Sequence, residues 1–283
     1  SLFSGGSSAN VASGLSKLGI DVSVFGSLGE DIYGKHVVDE MKADGIDISN
    51  LALLDNYNTA MVIGVVEESS ERHFFLWPPI NGAHNQYTLD DKSRKDLLNC
   101  DWLHVSGISL RFSPVKETML EAMRLCNEKS KIVSFDLNLR SELWGFSESF
   151  KETVLEAVSY SSIVFGNLHE EFLLIYDGNE DTLDKHISEK QTFICRDGHN
   201  GALGITNKDK VISNAIPISP IDSVGAGDAF NTGFIYASCC GKDIEESLDI
   251  GNQVAAFKLL GSGARHLPTK ELLDDFNKKY QIN

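Results

Sequence analysis

Three small residues and a carboxylate stand together in the stretch DSVGAGDAFNTGF at positions 222–234. Gly225, Ala226 and Gly227 come directly before Asp228, and an apolar segment follows, which predicts a turn at the N-terminus of a helix. Free N–H groups and the helix dipole at such a terminus favour a phosphoryl oxygen, and glycine lets that ligand approach the backbone closely. A carboxylate beside the pocket can accept the proton of a hydroxyl group that attacks phosphorus. The stretch by itself is equally compatible with a glycine-rich turn whose Asp caps a helix.

A second glycine-rich stretch, GEDIYGKH at 29–36, matches the phosphate-binding pattern GxxxxGK as far as Lys35. His36 follows where that pattern needs a metal-binding Ser or Thr, and Glu30 and Asp31 would place negative charge against the phosphates. No GxGxxG follows a predicted strand. The sequence therefore argues against a P-loop and against a dinucleotide-binding fold.

The elements that must position Asp228 alternate along the chain between short apolar runs and amphipathic ones. The residues 33–45 place Val37, Val38 and Met41 on one helical face before Gly45 ends the helix. Short apolar strands are predicted at 21–29, 100–107, 131–138, 161–167 and 191–198. This order predicts an α/β protein with a mainly parallel sheet covered on both faces.

A second helix is predicted at 113–129, where Ser113 is expected to cap the helix and Pro114 to fit its first turn. The apolar residues of this segment share one helical face. They are Val115, Met119, Ala122, Met123 and Cys126.

Two segments depart from the alternation. Residues 58–78 form two β-rich runs around a polar turn and predict a hairpin that projects as a lid or an edge. Its apolar residues alternate, so one face is expected to cover the site or to pair with a second subunit in a homodimer. These residues are Met61, Ile63, Val65, Phe75 and Trp77. A polar turn near 206–211 predicts another hairpin late in the sheet.

Composition excludes some classes of partner. The 283 residues carry a net charge of −16, which opposes binding to nucleic acid or to an anionic membrane. Five cysteines without metal-ligand spacing indicate thiols in a reducing compartment, so we expect a cytoplasmic protein. No apolar run approaches the ~20 residues that a membrane helix requires.

Four motifs in order resemble those of the ribokinase-like (PfkB) carbohydrate kinases. DSVGAGDAF resembles the C-terminal signature D-T-x-G-A-G-D-x-F, with Ser223 in the Thr position. SGGSSANVASGLSKLG at 4–19 resembles the N-terminal signature, in which two glycines and an Asn precede a helix. GSLGEDIYG at 26–34 and GNLHEEF at 166–172 match the G-x-D-x-x-G and N-x-x-E elements. The resemblance implies a ribokinase-like three-layer sandwich, as a single domain over 1–283 with a small β lid at about 58–78.

The same resemblance implies transfer of the γ-phosphate of ATP to a sugar hydroxyl, with Mg²⁺ as counter-ion. Asp228 would be the base, and Gly225, Ala226 and Gly227 would form the anion hole. Asn167 would organise the nucleotide phosphates, the metal and its waters, together with Glu170. The alternative for the last two is a surface loop with a helix cap.

Further contacts are implied for the sugar and the nucleotide. Gly5, Gly6, Asn10 and Asp31 would touch the sugar, or else form a turn and a helix cap. Gly198, Gly201 and Asn252 are assigned to the nucleotide, Asn252 because GNQVAAFKLLGSGA at 251–264 resembles the segment beside the adenine. A K⁺ ion beside Asp222 is a further cofactor that the resemblance allows.

The stretch FDLNLRSELW at 135–144 bears on the sugar's identity. It resembles a D-x-N-x-R-x-x-L-W element of family members that act on 2-keto-3-deoxygluconate and on fructose. Asp136, Asn138 and Arg140 are predicted to alternate along a strand end and to project toward the substrate. An arginine that grips a carboxylate favours the keto acid slightly, with fructose as the alternative. The further candidates for this role are Arg111 and Arg72, whereas Arg140 could instead pair with Glu142.

Family members usually carry a strand before the glycine pair that ends in a sugar-binding Asp, and that Asp is not among the residues before Gly5. We expect either a longer natural chain or a site with one contact fewer. This leaves open a catalytically weak sugar or nucleotide sensor, and also a nucleoside kinase of the same fold. Retention of Asp228 argues against the sensor, because binding alone needs no base.

Overall fold

The protein contains ten strands and ten α-helices within residues 3–66, 72–78, 80–176 and 178–282, which a computed structural model describes. The strands are β1 (Ser23–Gly29), β2 (Asp47–Leu54), β3 (Met61–Val66), β4 (Arg72–Trp77), β5 (Trp102–Ser106), β6 (Ile132–Asp136), β7 (Ile163–Asn167), β8 (Thr192–Arg196), β9 (Ala202–Ile205) and β10 (Lys210–Ser213). The helices are α1 (Ser7–Lys17), α2 (Ile32–Ala43), α3 (Asp91–Asn99), α4 (Val115–Glu128), α5 (Ser141–Trp144), α6 (Glu148–Tyr160), α7 (Leu173–Ile175), α8 (Ala226–Cys239), α9 (Ile244–Leu259) and α10 (Lys270–Tyr280). None of the helices in these ranges is long and apolar enough to cross a membrane.

The central sheet has six strands in the order β10-β9-β8-β7-β6-β5. Strands β5 to β8 are parallel, whereas β9 and β10 join the edge as an antiparallel hairpin. The parallel strands end at the same edge of the sheet, so the residues that follow β6, β7 and β8 meet there. A separate parallel pair is formed by β1 and β2. The sheet is therefore mainly parallel, as predicted.

Alternating side chains of the central strands pack into two different cores. Val164 and Phe193 belong to the core that α4 and α6 cover, whereas Phe165 and Ile194 belong to the core with α1, α8 and α9. Successive residues of a strand point to opposite faces, so each strand is buried on both sides. This arrangement confirms the predicted three-layer α/β sandwich.

Helix α4 buries the predicted apolar face, with Val115, Ala122 and Met123 among its fully enclosed residues. Its N-terminus differs from the prediction. Pro114 occupies the cap position without a side-chain cap, and the Ser113 hydroxyl donates to the Glu117 carboxylate at 2.7 Å instead. The hydroxyl therefore bonds one turn ahead on the same helix rather than to the free N–H groups at its start.

Both predicted hairpins are present. Strands β3 and β4 pair in antiparallel register from Met61 opposite Trp77, and β9 pairs with β10 in the same way. The predicted polar turn falls on residues 67–71, which lie outside the described part of the structure, as do the side chains of Arg72, Val65 and Phe75. The side chains of Ile63 and Trp77 are about half exposed, so the hairpin presents apolar surface to its surroundings.

Strand β10 has only four residues. It ends at Ser213, and the chain runs without regular structure from 214 to the turn before α8. This irregular segment contains two prolines, at 217 and 220, which have no backbone N–H to continue the ladder. It brings the glycine turn of 225–227 over the end of the sheet.

Candidate active site

The predicted turn at the start of α8 is present and depends on Gly225. That residue is the cap of the helix in left-handed backbone, with φ of 81°, which disfavours any residue carrying a side chain. A Cβ there would also lie 2.8 Å from the Cβ of Ala264. The N–H of Ala226 donates to the Ser223 carbonyl at 3.2 Å. The N–H groups of Gly227 and Asp228, in the first helical turn, are then the donors that can face a ligand.

Both oxygens of the Asp228 carboxylate accept hydrogen bonds from α1. The Ser7 hydroxyl donates to Oδ1 and the Asn10 amide to Oδ2, each at 2.7 Å. Burial raises the pKa of Asp228 from 3.8 to about 6, and the negative charge of Asp136 adds to the rise. The two hydrogen bonds and Arg196 oppose it. Asp228 is thus a carboxylate whose affinity for a proton is increased, as a general base near neutral pH requires.

The N-terminal motif meets the C-terminal one through Asn10. This residue was expected before the helix, but it lies inside α1, which begins after Gly6 at φ 97°. Asn10 lies in the first turn of α1, and its amide contacts Asp228. A Cβ on Gly5 would meet no atom within 4 Å, so the backbone of the glycine pair is open on that side.

The amide of Asn10 is oriented by Arg265, a residue that the sequence did not single out. Its Nε donates to Asn10 Oδ1 at 3.4 Å, and Nη2 donates to the Gly5 carbonyl at 3.3 Å. Glu40 pairs with the same guanidinium at 3.4 Å. An oxygen that faces Arg265 leaves the amide nitrogen of Asn10 to face Asp228.

Asp136 does not project into an open site as predicted. It is buried at the end of β6, where Arg196 donates to its oxygens at 2.8 and 3.1 Å and Asn231 donates at 2.8 Å. Burial opposes the charge of Asp136, but Arg196 outweighs it and holds the pKa below its ordinary value. The reason is topological, because β6, β7 and β8 are neighbours and a cation at the end of β8 faces the acid of β6.

Arg196 links this ion pair to the glycine turn. Its Nη1 donates to Asn231 at 2.7 Å and to the Gly227 carbonyl at 3.3 Å, and a Cβ on Gly227 would lie 3.3 Å from the guanidinium carbon. Burial disfavours its charge, but Asp136 raises the pKa of Arg196 above its ordinary value. The guanidinium therefore lies beneath the first turn of α8.

Glu171 joins the ends of the neighbouring strands. One of its oxygens accepts the N–H of Leu139 at 2.8 Å and the other accepts the N–H of Asn167 at 2.7 Å. Arg196 lies 3.8 Å from the same carboxylate. Burial and the nearby Asp136 raise the pKa of Glu171. One buried network thus connects the loops after β6 and β7 with α8.

The loop after β6 turns sharply and does not continue as a strand. Asn138 and Arg140 have φ of 36° and 48°, so the predicted alternation with Asp136 is wrong. The amide of Asn138 donates to the Ser106 hydroxyl at 2.8 Å inside the protein. Arg140 is about half exposed, and its contact with Glu142 is long, at 3.9 Å.

Arg111 and Arg72 are the other two candidates for binding a sugar carboxylate. Arg111 stabilises the loop after β6. It donates to the carbonyls of Leu139 and Gly145, and its guanidinium carbon lies 3.6 Å from the ring centre of Phe150. The Arg111 guanidinium therefore has a structural role in this loop. The side chain of Arg72 is outside the described residues.

Two predicted ligands act as helix caps. Asp31 accepts the N–H groups of Tyr33, Gly34 and Thr59 at 2.7 to 3.0 Å. Burial opposes the charge of Asp31, but these bonds outweigh it and lower its pKa. The Asn167 oxygen accepts the N–H groups of His169 and Glu170, each at 2.9 Å. Glu170 itself is exposed at the same edge of the sheet.

The three residues assigned to the nucleotide also have structural contacts. A Cβ on Gly201 would lie 2.1 Å from the Ser213 carbonyl, so this glycine permits a close backbone approach. At Gly198, with φ of 55°, a Cβ would meet open space. The Asn252 amide donates to Ser213 Oγ at 2.8 Å and to the Asn214 carbonyl at 3.2 Å, and so ties α9 to β10.

The position predicted for a potassium ion is in contact with a cation of the chain. The Lys258 ammonium donates to the Asp222 carbonyl at 2.7 Å. The Asp222 side chain accepts the N–H groups of Val224 at 3.0 Å and Gly263 at 2.9 Å. Because an ammonium already bonds this carbonyl, the residues present do not fit a K⁺ ion that binds there.

Residues 1–271 match the family described as pfkB family carbohydrate kinase. The chain belongs to this family, and it is a phosphotransferase that acts on a sugar hydroxyl. Among curated relatives, it is 28% identical to a 5-dehydro-2-deoxygluconokinase of Clostridium perfringens, over 97% of this chain and 84% of that one.

Solved structures agree with this assignment. A fructokinase of Vibrio cholerae with fructose, ADP and calcium ion bound superposes with a TM-score of 0.83 at 26% identity, over 97% of this chain and 91% of that one. An aminoimidazole riboside kinase of Salmonella enterica gives a TM-score of 0.82 at 26% identity, over 97% and 92% of the chains. The match with these sugar kinases confirms the ribokinase-like fold.

The sequence prediction did not include several residues that contact the predicted site residues or their loops. The missed residues are Ser7, Glu171, Arg196, Asn231, Lys258 and Arg265. The sequence does indicate Arg196, because this residue ends the apolar strand TFICR as Asp136 ends the strand at 132–136. Parallel strands end at the same edge of the sheet. Lys258 interrupts an apolar helical segment, AAFKLL, which indicates a buried ammonium with a specific acceptor.

Proposed function

We propose that Asp228 is the general base of this sugar kinase. The observation that carries the proposal is its position, in the first turn of α8 after Gly225, with both oxygens oriented by Ser7 and Asn10. The acceptor hydroxyl attacks the γ-phosphorus of ATP, its proton passes to Asp228, and the bond to the β-phosphate oxygen breaks to release ADP. The N–H groups of Gly227 and Asp228 stabilise the charge on the transferring group.

We propose that Mg²⁺ is held near Glu170 and Asn167, with the nucleotide phosphates. The carboxylate of Glu170 is exposed and offers the hard oxygen that this ion prefers. In the part of the chain that the structure covers, no group of three or more His, Cys, Asp or Glu side chains could hold a metal. Phosphates and water would therefore complete the coordination, and the bound ion would neutralise charge on the phosphates.

We propose that the acceptor is a sugar acid of the keto-deoxygluconate class, with 2-keto-3-deoxygluconate as the first candidate. The curated relative named 5-dehydro-2-deoxygluconokinase supports an acidic sugar. Arg140 supports it as well, because its guanidinium is half exposed and its pairing with Glu142 is long. A fructokinase is the alternative, favoured by the fructose-bound structural relative.

We propose further that the β3–β4 hairpin is a lid or a dimer interface, because Val62, Ile63 and Trp77 expose apolar surface there.

All five cysteines are free thiols, which supports a reducing, cytoplasmic location.

A substrate panel tests the proposed function. ADP release would be measured with ATP, Mg²⁺ and each of 2-keto-3-deoxygluconate, 5-dehydro-2-deoxygluconate, fructose and aminoimidazole riboside, and phosphorylated product would be verified by mass. We expect the highest kcat/KM for a sugar acid. A higher kcat/KM for fructose would favour the fructokinase alternative, and binding of ATP and sugar without turnover would favour a sensor.

A further inference from the structure

Lys258 is a lysine without solvent exposure, on a helix whose other buried residues are apolar or uncharged polar ones. It lies on α9, with none of its surface accessible, and its ammonium donates to the carbonyl oxygen of Asp222 at 2.7 Å. Burial lowers the pKa of Lys258, and the negative charge of Asp222 opposes that shift. A buried charge is costly to retain, so its position calls for a specific role.

Asp222 connects the two chain segments that pack together at the glycine turn of 225–227. Its side chain accepts the N–H of Val224 in the segment before α8 and the N–H of Gly263 in the segment after α9. The second segment continues to Ala264, which packs against Gly225. The carbonyl that Lys258 contacts therefore belongs to the residue that holds the anion-hole turn in place.

We propose that Lys258 is an internal cation that performs the task of a bound monovalent ion at Asp222, so that this enzyme turns over without K⁺. The ammonium fixes the Asp222 carbonyl and adds positive charge behind a turn whose N–H groups receive a phosphoryl oxygen. Lys258 is a positioning residue, since it acts through the backbone of 222–225. The effect on turnover rests on the proposed function, whereas occupancy of the site by a cation does not.

Two substitutions of Lys258 separate charge from packing. Lys258→Ala removes the ammonium and opens a space at the Asp222 carbonyl, whereas Lys258→Met removes the charge but fills the space. Each would be assayed with the tetramethylammonium salt of ATP, and then with added K⁺ or NH₄⁺. Lys278→Ala, which removes an exposed lysine of α10, is the matched control. Thermal unfolding in the same buffers reports cation binding independently of turnover.

We expect the parent to have the same kcat with and without K⁺. Both Lys258 variants should lose about tenfold to a hundredfold in kcat in potassium-free buffer, as for loss of a charged hydrogen bond. Added K⁺ or NH₄⁺ should restore most of the loss, and raise the melting temperature, in Lys258→Ala alone. Lys278→Ala should behave as the parent.

Three results would overturn the proposal. They are activation of the parent severalfold by K⁺, parent-like turnover of Lys258→Met in potassium-free buffer, and a folded Lys258→Ala whose melting temperature and turnover no cation changes. If the parent shows no sugar phosphorylation in any salt, the proposed function fails separately. The cation-dependent melting of Lys258→Ala against the parent then still decides whether the ammonium replaces an ion. If Lys258→Ala does not fold, Lys258→Gln provides the same comparison with Lys258→Met.

Discussion

The Asn10 amide bridges Asp228 and Arg265. Its nitrogen donates to Asp228 Oδ2 at 2.7 Å, across 218 residues of sequence, while its oxygen accepts from Arg265 at 3.4 Å. An amide held at both ends has one orientation, with the nitrogen toward the carboxylate. The first helix of the chain therefore fixes the proposed base of the eighth.

The pH dependence of turnover follows from Asp228. Its pKa is raised to about 6 by burial and by Asp136, while Asn10, Ser7 and Arg196 oppose the rise. A base works only when deprotonated, so kcat/KM should be constant above this pKa and fall as the pH decreases through about 6. Initial rates between about pH 5 and 9, at constant ionic strength, measure this profile. A profile that stays flat to pH 4.5 would contradict it.

Asn10→Leu should move that profile. The substitution keeps a similar volume but removes a hydrogen bond to the ionised carboxylate, so the pKa of Asp228 rises further. We expect the acidic limb to shift to higher pH and kcat at pH 8 to decrease less than kcat at pH 6. Ser159→Ala, at an exposed hydroxyl of α6, is the control and should leave the profile unchanged. An unshifted limb in Asn10→Leu would show that the bond does not control the base.

Arg196→Met should strongly destabilise the fold. It leaves the buried Asp136 carboxylate without its ion pair, a change that typically costs ~3–5 kcal/mol in the free energy of unfolding. Arg124→Met removes an exposed pair with Glu128 and should cost about 1 kcal/mol or less. Urea unfolding of both variants provides the comparison. Equal losses in the two variants would mean that the buried network contributes no more than a surface pair.

Arg140→Ala tests the acidic substrate. If the guanidinium binds the sugar carboxylate, kcat/KM for 2-keto-3-deoxygluconate should fall by roughly tenfold to a hundredfold, as for the loss of a charged contact of ~1.5–3 kcal/mol. Fructose has no carboxylate and should lose less. Arg124→Ala serves as the control on a distant surface. The same loss for both sugars would argue against the assignment.

The elements of this fold were predictable because their signals are local. Alternating apolar runs such as 161–167 and the amphipathic face around Met123 set strand and helix without reference to the rest of the chain. The glycine turn was predictable for the same reason, since the left-handed backbone that favours Gly225 belongs to the turn itself. The partner of each polar residue was not predictable, because partners lie far apart in the sequence. Asp136 and Arg196, for example, are 60 residues apart.

The loop after β6 shows the limit most clearly. A period of two along the sequence predicted that Asp136, Asn138 and Arg140 point the same way. The strand ends at Asp136, and left-handed backbone at the other two residues redirects both side chains. Local pattern therefore identified residues near the site but not the direction in which they point.

Asp228→Asn tests whether Asp228 takes the proton of the acceptor hydroxyl. At saturating sugar and ATP, single-turnover phosphoryl transfer should slow by ~10² to 10⁴, because the amide keeps the shape of the side chain but cannot accept the proton. Nucleotide affinity, measured by calorimetry, should stay within about threefold of the parent, since the Gly225 turn is unchanged. A transfer rate within about threefold of the parent, at equal saturation, would show that Asp228 is not the base.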